Sequence, residues 1–101
     1  MITITYHIGR HEIAAKGHAG YAPEGQDIVC AAVTALLTTL AQFAAHAGDA
    51  EIRLEPGDIY VRCRPRARYD RPVALVYSTV AGGLWAIARR YPEYVSFEKY
   101  A

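Results

Sequence analysis

Little in this chain points to recognition by charge, metal or cross-link. Eleven lysines and arginines stand against ten acidic residues, a formal net charge of +1, so no global field draws in nucleic acid or an anionic membrane. Cysteine is scarce, and Cys30 and Cys63 fall in different predicted elements; neither a disulfide framework nor a CxxC metal site is available. His7 and His11 flank a predicted turn without a carboxylate or cysteine at ligand spacing, so no metal site is assigned and both are read as surface histidines. The amino-terminal MITITYHIGR alternates instead of presenting a basic stretch followed by an apolar one. No apolar segment is expected to approach the roughly 20 residues that cross a bilayer. These absences describe a soluble cytoplasmic protein, with no membrane partner and no direct nucleic-acid binding.

What is present suffices for one domain. The 101 residues, 52% of them hydrophobic, can build a single core over residues 1–101. Ile2, Ile4 and Tyr6 alternate with Thr3, Thr5 and His7, a half-buried strand; Gly9 and Arg10 turn the chain, and His11 to Lys16 returns antiparallel. A second hairpin is read from Glu51 to Glu55, with Ile52 and Leu54 on one face, through the Pro56-Gly57-Asp58 turn into Ile59, Val61 and Cys63. Cys63 shares that apolar face and is read as a small core residue. Asp70 is a candidate cap for a helix with Pro72 in its first turn and an apolar stripe of Val76, Val80, Leu84, Ile87 and Tyr91. Gly82-Gly83 weakens that helix and is assigned to a close approach. Trp85 lies off the stripe, and Tyr94 to Glu98 adds a last strand. The expectation is an α+β fold, a mostly antiparallel sheet of about five short strands with two helices packed on one face.

Chemistry concentrates between Gly17 and Leu40, GHAGYAPEGQDIVCAAVTALLTTL. Asp27 is a favoured N-cap, and Val29, Val33, Leu36, Leu40 and Phe43 follow at the spacing of one helix face, predicting a helix from Asp27 to Ala47 that Gly48 ends. Cys30 then occupies the first turn, where amide N–H groups lack helical partners and favour negative charge, a setting suited to a nucleophilic sulfur. His18, just across the loop, is the candidate general acid and base. A buried structural cysteine is the alternative for Cys30. The intervening AGYAPEGQ holds Gly20, Pro23 and Gly25 with no hydrophobic period, which is loop chemistry. Its place between the two reactive residues makes it a candidate substrate loop, with Gly20 and Gly25 as its flexible points and Tyr21 either lining a groove or packing on the loop's own side.

The segment GHAGYAPEGQDIVCAAVTALL resembles the signature of the ribosomal-processing cysteine proteases, the Prp family, and the closing IARRYPEYVSFE resembles the family's usual end. The resemblance implies a His18–Cys30 catalytic dyad, with Asp27 also matching the family's pattern. Thr34 stands where the family commonly has Ser. The implied substrate is the N-terminal extension of a large-subunit ribosomal protein, and the implied assembly is a homodimer without a cofactor. Two other classes remain: a ribosome- or RNA-associated module using Arg62, Arg64, Arg66, Arg68 and Arg71, and a cysteine hydrolase or transferase acting on another acyl substrate.

Overall fold

The structure is a computed structural model that describes residues 1–101. The amino-terminal alternation folds into β1 (Ile2–His7) and β2 (Glu12–Lys16), antiparallel, with Ile4 opposite Ala15 and Tyr6 opposite Ile13. Their connection is a 3-10 turn over Ile8–Arg10 that closes on His11 in the left-handed region, φ 47°. The second strand therefore starts one residue later than the sequence suggested. His11 is half-buried against Tyr77, with its Nδ1 out of solvent and unpaired, which departs from the expected surface histidine.

After the loop, α1 (Ile28–Ala47) leads straight into β3 (Gly48–Glu55), which turns at Pro56-Gly57 into β4 (Asp58–Pro65). A 3-10 turn over Ala67–Tyr69 precedes α2 (Asp70–Arg90), and β5 (Val95–Tyr100) ends the sheet. The strand order is β3-β4-β2-β1-β5. All pairs are antiparallel except β1 with β5. The α+β expectation of five strands and two helices holds.

The core lies between the helices and one sheet face. Ile2, Ile4, Tyr6, Ile13, Ala15, Ile59, Val61, Cys63 and Val95 supply the sheet side. On α1 the buried stripe is Val29, Val33, Leu37, Leu40, Ala41, Ala44 and Ala47, with Leu36 and Phe43 only half-buried. The buried face is rotated slightly from the expected one, with Leu37, Ala41, Ala44 and Ala47 enclosed where Leu36 and Phe43 were expected. On α2 the stripe is Val73, Tyr77, Val80, Ala81 and Leu84, whereas Val76, Ile87 and Tyr91 are half-buried. Tyr77 is wholly enclosed because its hydroxyl donates to the Val61 carbonyl at 3.1 Å, which offsets the cost of burying it. Asp70 lies inside the first turn of α2, and Tyr69 occupies the cap position without a side-chain hydrogen bond, which corrects the expected Asp70 cap.

Glycine marks two close approaches here. A Cβ at Gly48 would lie 2.1 Å from the Arg64 carbonyl oxygen, so the helix-to-strand junction needs its bare backbone. A Cβ at Gly83 would meet Leu36 Cδ1 at 3.2 Å, the close helix approach read from the Gly82-Gly83 pair. Ile52 and Leu54 are exposed although they share a face with Val61 and Ile59, because β3 is an edge strand at the margin of the helix layer. The expectation that no segment has membrane-spanning length is also corrected: α1 is long and apolar enough by length and composition to cross a bilayer. Seven of its residues are buried in the core.

Candidate active site

Strand β2 ends at Lys16 and delivers Gly17, at φ +93°, beside the start of β1. A Cβ on Gly17 would lie 2.4 Å from the Met1 carbonyl oxygen, so the chain turns toward the site only because glycine stands there. His18 follows, exposed, with its ring against Gly57 at the tip of the β3–β4 hairpin. The next residue, Ala19, is buried, and its N–H donates to the Cys30 sulfur at 3.4 Å. The Cys30 thiol is half-buried. No hydrogen bond joins the His18 ring to it, a separation common in unliganded catalytic sites.

Asp27 organises the rest. Its Oδ1 accepts from the N–H groups of Val29 at 3.0 Å and Cys30 at 2.9 Å, the N-cap geometry expected from sequence. Its Oδ2 accepts from Tyr21 N–H at 3.0 Å and so ties the loop to the helix start. Partial removal from water works to raise the Asp27 pKa, but the amides of Cys30, Tyr21, Ala22 and Val29 outweigh it and hold the carboxyl below its ordinary range. Two first-turn amides are thereby committed to Asp27. The amide directed at the sulfur is that of Ala19, which sequence reasoning did not single out.

Within the loop, Gly20 and Gly25 adopt φ +71° and +85°. Tyr21 packs edge-on against Tyr91 and Tyr94, ring centroids 5.5 and 5.2 Å away. The loop thus leans on the junction between α2 and β5. Thr34 is exposed on α1, one turn beyond Cys30. Asp58 accepts from Lys16 Nζ at 2.7 Å and Arg53 Nε at 3.2 Å, which clamps the hairpin tip to the end of β2.

The arginines of β4 do not form a basic stripe. Arg62 sits between Glu12 and Glu51 on the neighbouring strands, and Arg64 is 3.9 Å from Asp49. Arg66 donates to the His46 carbonyl and Arg68 lies over the Tyr69 ring. A cavity of about 570 Å³ is lined by Tyr6, His11, Trp85, Phe97 and Lys99 among others, and includes neither His18 nor Cys30. It is a groove between α2 and the β1–β5 side of the sheet, apart from the candidate site.

Comparison with known proteins finds relatives over nearly the whole chain. The family model for the cysteine protease Prp matches residues 1–96. The ribosomal processing cysteine protease Prp of Mycoplasma pneumoniae is 32% identical over 100 residues, spanning 97% of this chain and 94% of that protein. The Staphylococcus aureus ribosomal processing protease Prp, solved with a covalently linked product peptide, shares the fold with TM-score 0.80 at 22% identity, over 98% of this chain and 99% of the other. A Streptococcus mutans protein shares it with TM-score 0.70 at 24% identity, over 98% and 91%. A cysteine protease is the class these features define. More narrowly, the chain belongs to the Prp family of ribosomal-processing cysteine proteases.

Two outcomes follow from the site's construction. Cys63 is 1% exposed, its thiol donates to the Ala44 carbonyl at 3.5 Å, and burial pushes its pKa up. Brief limiting iodoacetamide followed by peptide mapping should therefore label Cys30 much faster than Cys63; equal labelling contradicts the placement. Replacing Asp27 with Ala should lower stability by about 0.5–2 kcal/mol at neutral pH, the usual cost of losing a cap. Because the folded carboxyl titrates below its unfolded value, that difference should be full above about pH 4 and vanish as pH falls through the lowered folded pKa. Denaturant midpoints across an acid series measure it, and a pH-independent difference would show that charge is not the source.

Proposed function

We propose that this protease removes the N-terminal extension of a large-subunit ribosomal protein during ribosome maturation, in the cytoplasm, with Cys30 as nucleophile and His18 as general acid and base. The observation that carries the reading is the convergence of the two residues on one loop mouth: the amide next to His18 donates to the Cys30 sulfur. His18 takes the Cys30 thiol proton as the sulfur attacks the scissile carbonyl and forms a C–S bond; the C–N bond then breaks as His18 passes that proton to the departing amine. Water then adds to the thioester, His18 takes its proton, and the sulfur leaves, which frees the acid product and restores the enzyme. No cofactor is needed for either half. The Ala19 amide, which donates to the Cys30 sulfur in the free site, is the donor suited to the tetrahedral oxyanion: its acceptor weakens once the sulfur bonds to carbon, whereas Val29 and Cys30 N–H stay on the Asp27 carboxylate. Asp27 supports the site by fixing the helix start and the loop together. The loop carrying Gly20, Tyr21 and Gly25 would cover an extended substrate peptide, a role consistent with its two positive-φ glycines. The Staphylococcus aureus relative has been solved with a substrate peptide, which favours a peptide partner here as well.

The homodimer is proposed on surface grounds. Ile52 and Leu54 lie exposed on edge strand β3, and the outward residues of α1, Ala31, Thr34, Ala35, Thr39 and Gln42, carry no charge. An uncharged face of this kind is suited to a second copy. Sedimentation velocity at micromolar concentration should show a dimer that Leu54→Glu converts to monomer; a wild-type monomer removes the proposal.

Cys30→Ala and His18→Ala should each abolish cleavage of an extension peptide, read by mass spectrometry, while circular dichroism stays unchanged. The double variant should lose little more than either single one, as groups that act together are strongly non-additive. Cleavage retained by either single variant would refute the dyad.

A further inference from the structure

The tip of the second hairpin reaches His18 from a remote part of the sequence. Gly57 adopts φ +72°, and a Cβ built on it would lie 2.7 Å from His18 Nε2, 3.2 Å from Cε1 and 3.4 Å from Cδ2. Three atoms of the imidazole therefore occupy the space that any other side chain at position 57 would need. The same glycine accepts from Gly17 N–H at 2.9 Å through its carbonyl, so it grips the backbone immediately before the histidine. Its neighbour Asp58 is held from both sides by Lys16 and Arg53. Lys16 is the last residue of β2, and Gly17 and His18 follow directly.

We propose that Gly57 is a positioning residue for His18. The hairpin tip forms a floor for the imidazole, and the Lys16–Asp58–Arg53 clamp keeps that floor in register with the end of β2. An exposed histidine after a glycine would otherwise sample several rotamers. The floor limits the rotamers open to the ring and fixes it beside the hairpin tip. A side chain here fails twice: L residues other than Asn and Asp rarely adopt the left-handed region, and their Cβ displaces the ring.

This inference rests on the reading of His18 as general acid and base. Its test combines a catalytic with a spectroscopic readout. In Gly57→Ala and in Gly57→Asn, whose side chain tolerates the left-handed region, kcat for the extension peptide should fall about tenfold to a hundredfold, the scale of an ångström of misplacement. KM should remain within about twofold, because the peptide is held elsewhere. The imidazole resonances of His18 should shift in both variants, while those of His46, at the far end of α1, stay in place. Asp58→Asn, which loosens the clamp without adding an atom at position 57, should move both readouts in the same direction to a smaller extent. It also carries the test if Gly57→Ala fails to fold. Wild-type kcat in a folded Gly57 variant, or a kcat loss with unmoved His18 resonances, overturns the proposal. The ring resonances are measurable in a protein that cleaves nothing, so a wild type inert toward the peptide, with His18 signals that respond at Gly57, would count against the proteolytic reading alone.

Discussion

One carboxylate holds the reactive end of this protein together. Asp27 closes the exposed start of α1 with one oxygen and fastens the Tyr21 amide with the other. Cys30 is thereby fixed relative to the loop that leads back to His18. Without this side chain the first helical turn would leave two amides unpaired beside the sulfur and the loop would lose its polar anchor. The loop is held as well by the edge-on packing of Tyr21 on Tyr91 and Tyr94 and by the Ala19 N–H that donates to the Cys30 sulfur. Apolar packing, a capping carboxylate and an amide on sulfur thus secure it by different chemistries.

The sheet makes this local arrangement possible by bringing three separate segments to one end of the fold. β2 ends at that side, β4 begins there, and α1 starts there. The antiparallel register of β2 with β4 sets Lys16 opposite Asp58, and the ion pair between them follows from that register. The helices cover only one face. On the other, acids and bases alternate across neighbouring strands, as in the row Glu12, Arg62 and Glu51, and this leaves a soluble surface with little net field.

Much of the fold was legible because its signals are local. Period-two alternation marked both hairpins, and Asp27 ahead of a periodic apolar run marked the start of α1 within a residue. The errors share a physical cause: sequence periodicity describes one element and omits its neighbours. Ile52 and Leu54 share one face of their strand as the alternation indicated, yet alternation alone did not show that this strand lies at the sheet edge, where both are exposed. The α2 stripe was read through Val76, Ile87 and Tyr91, whereas the residue wholly enclosed is Tyr77, whose hydroxyl finds the Val61 carbonyl on a neighbouring element. The arginine run looked basic only until the acids of adjoining strands were placed beside it. In the site, the Asp27 cap was readable from its spacing to Cys30, whereas the contact of Gly57 with His18 depends on strand register and left no trace in either segment.

The loopless junction at Gly48 makes α1 and β3 a single arm folded back on itself. At the usual rise, the 20 residues of the helix extend about 30 Å, and the eight of the strand about 26 Å. The two limbs are near enough in length that both free ends reach the His18–Ala19 segment, one through the Cys30 sulfur and the other through Gly57. Inserting one helical turn would carry the first away from the second by about 5.4 Å. Length changes should thus be far less tolerable in these two elements than in the loop between His18 and Cys30.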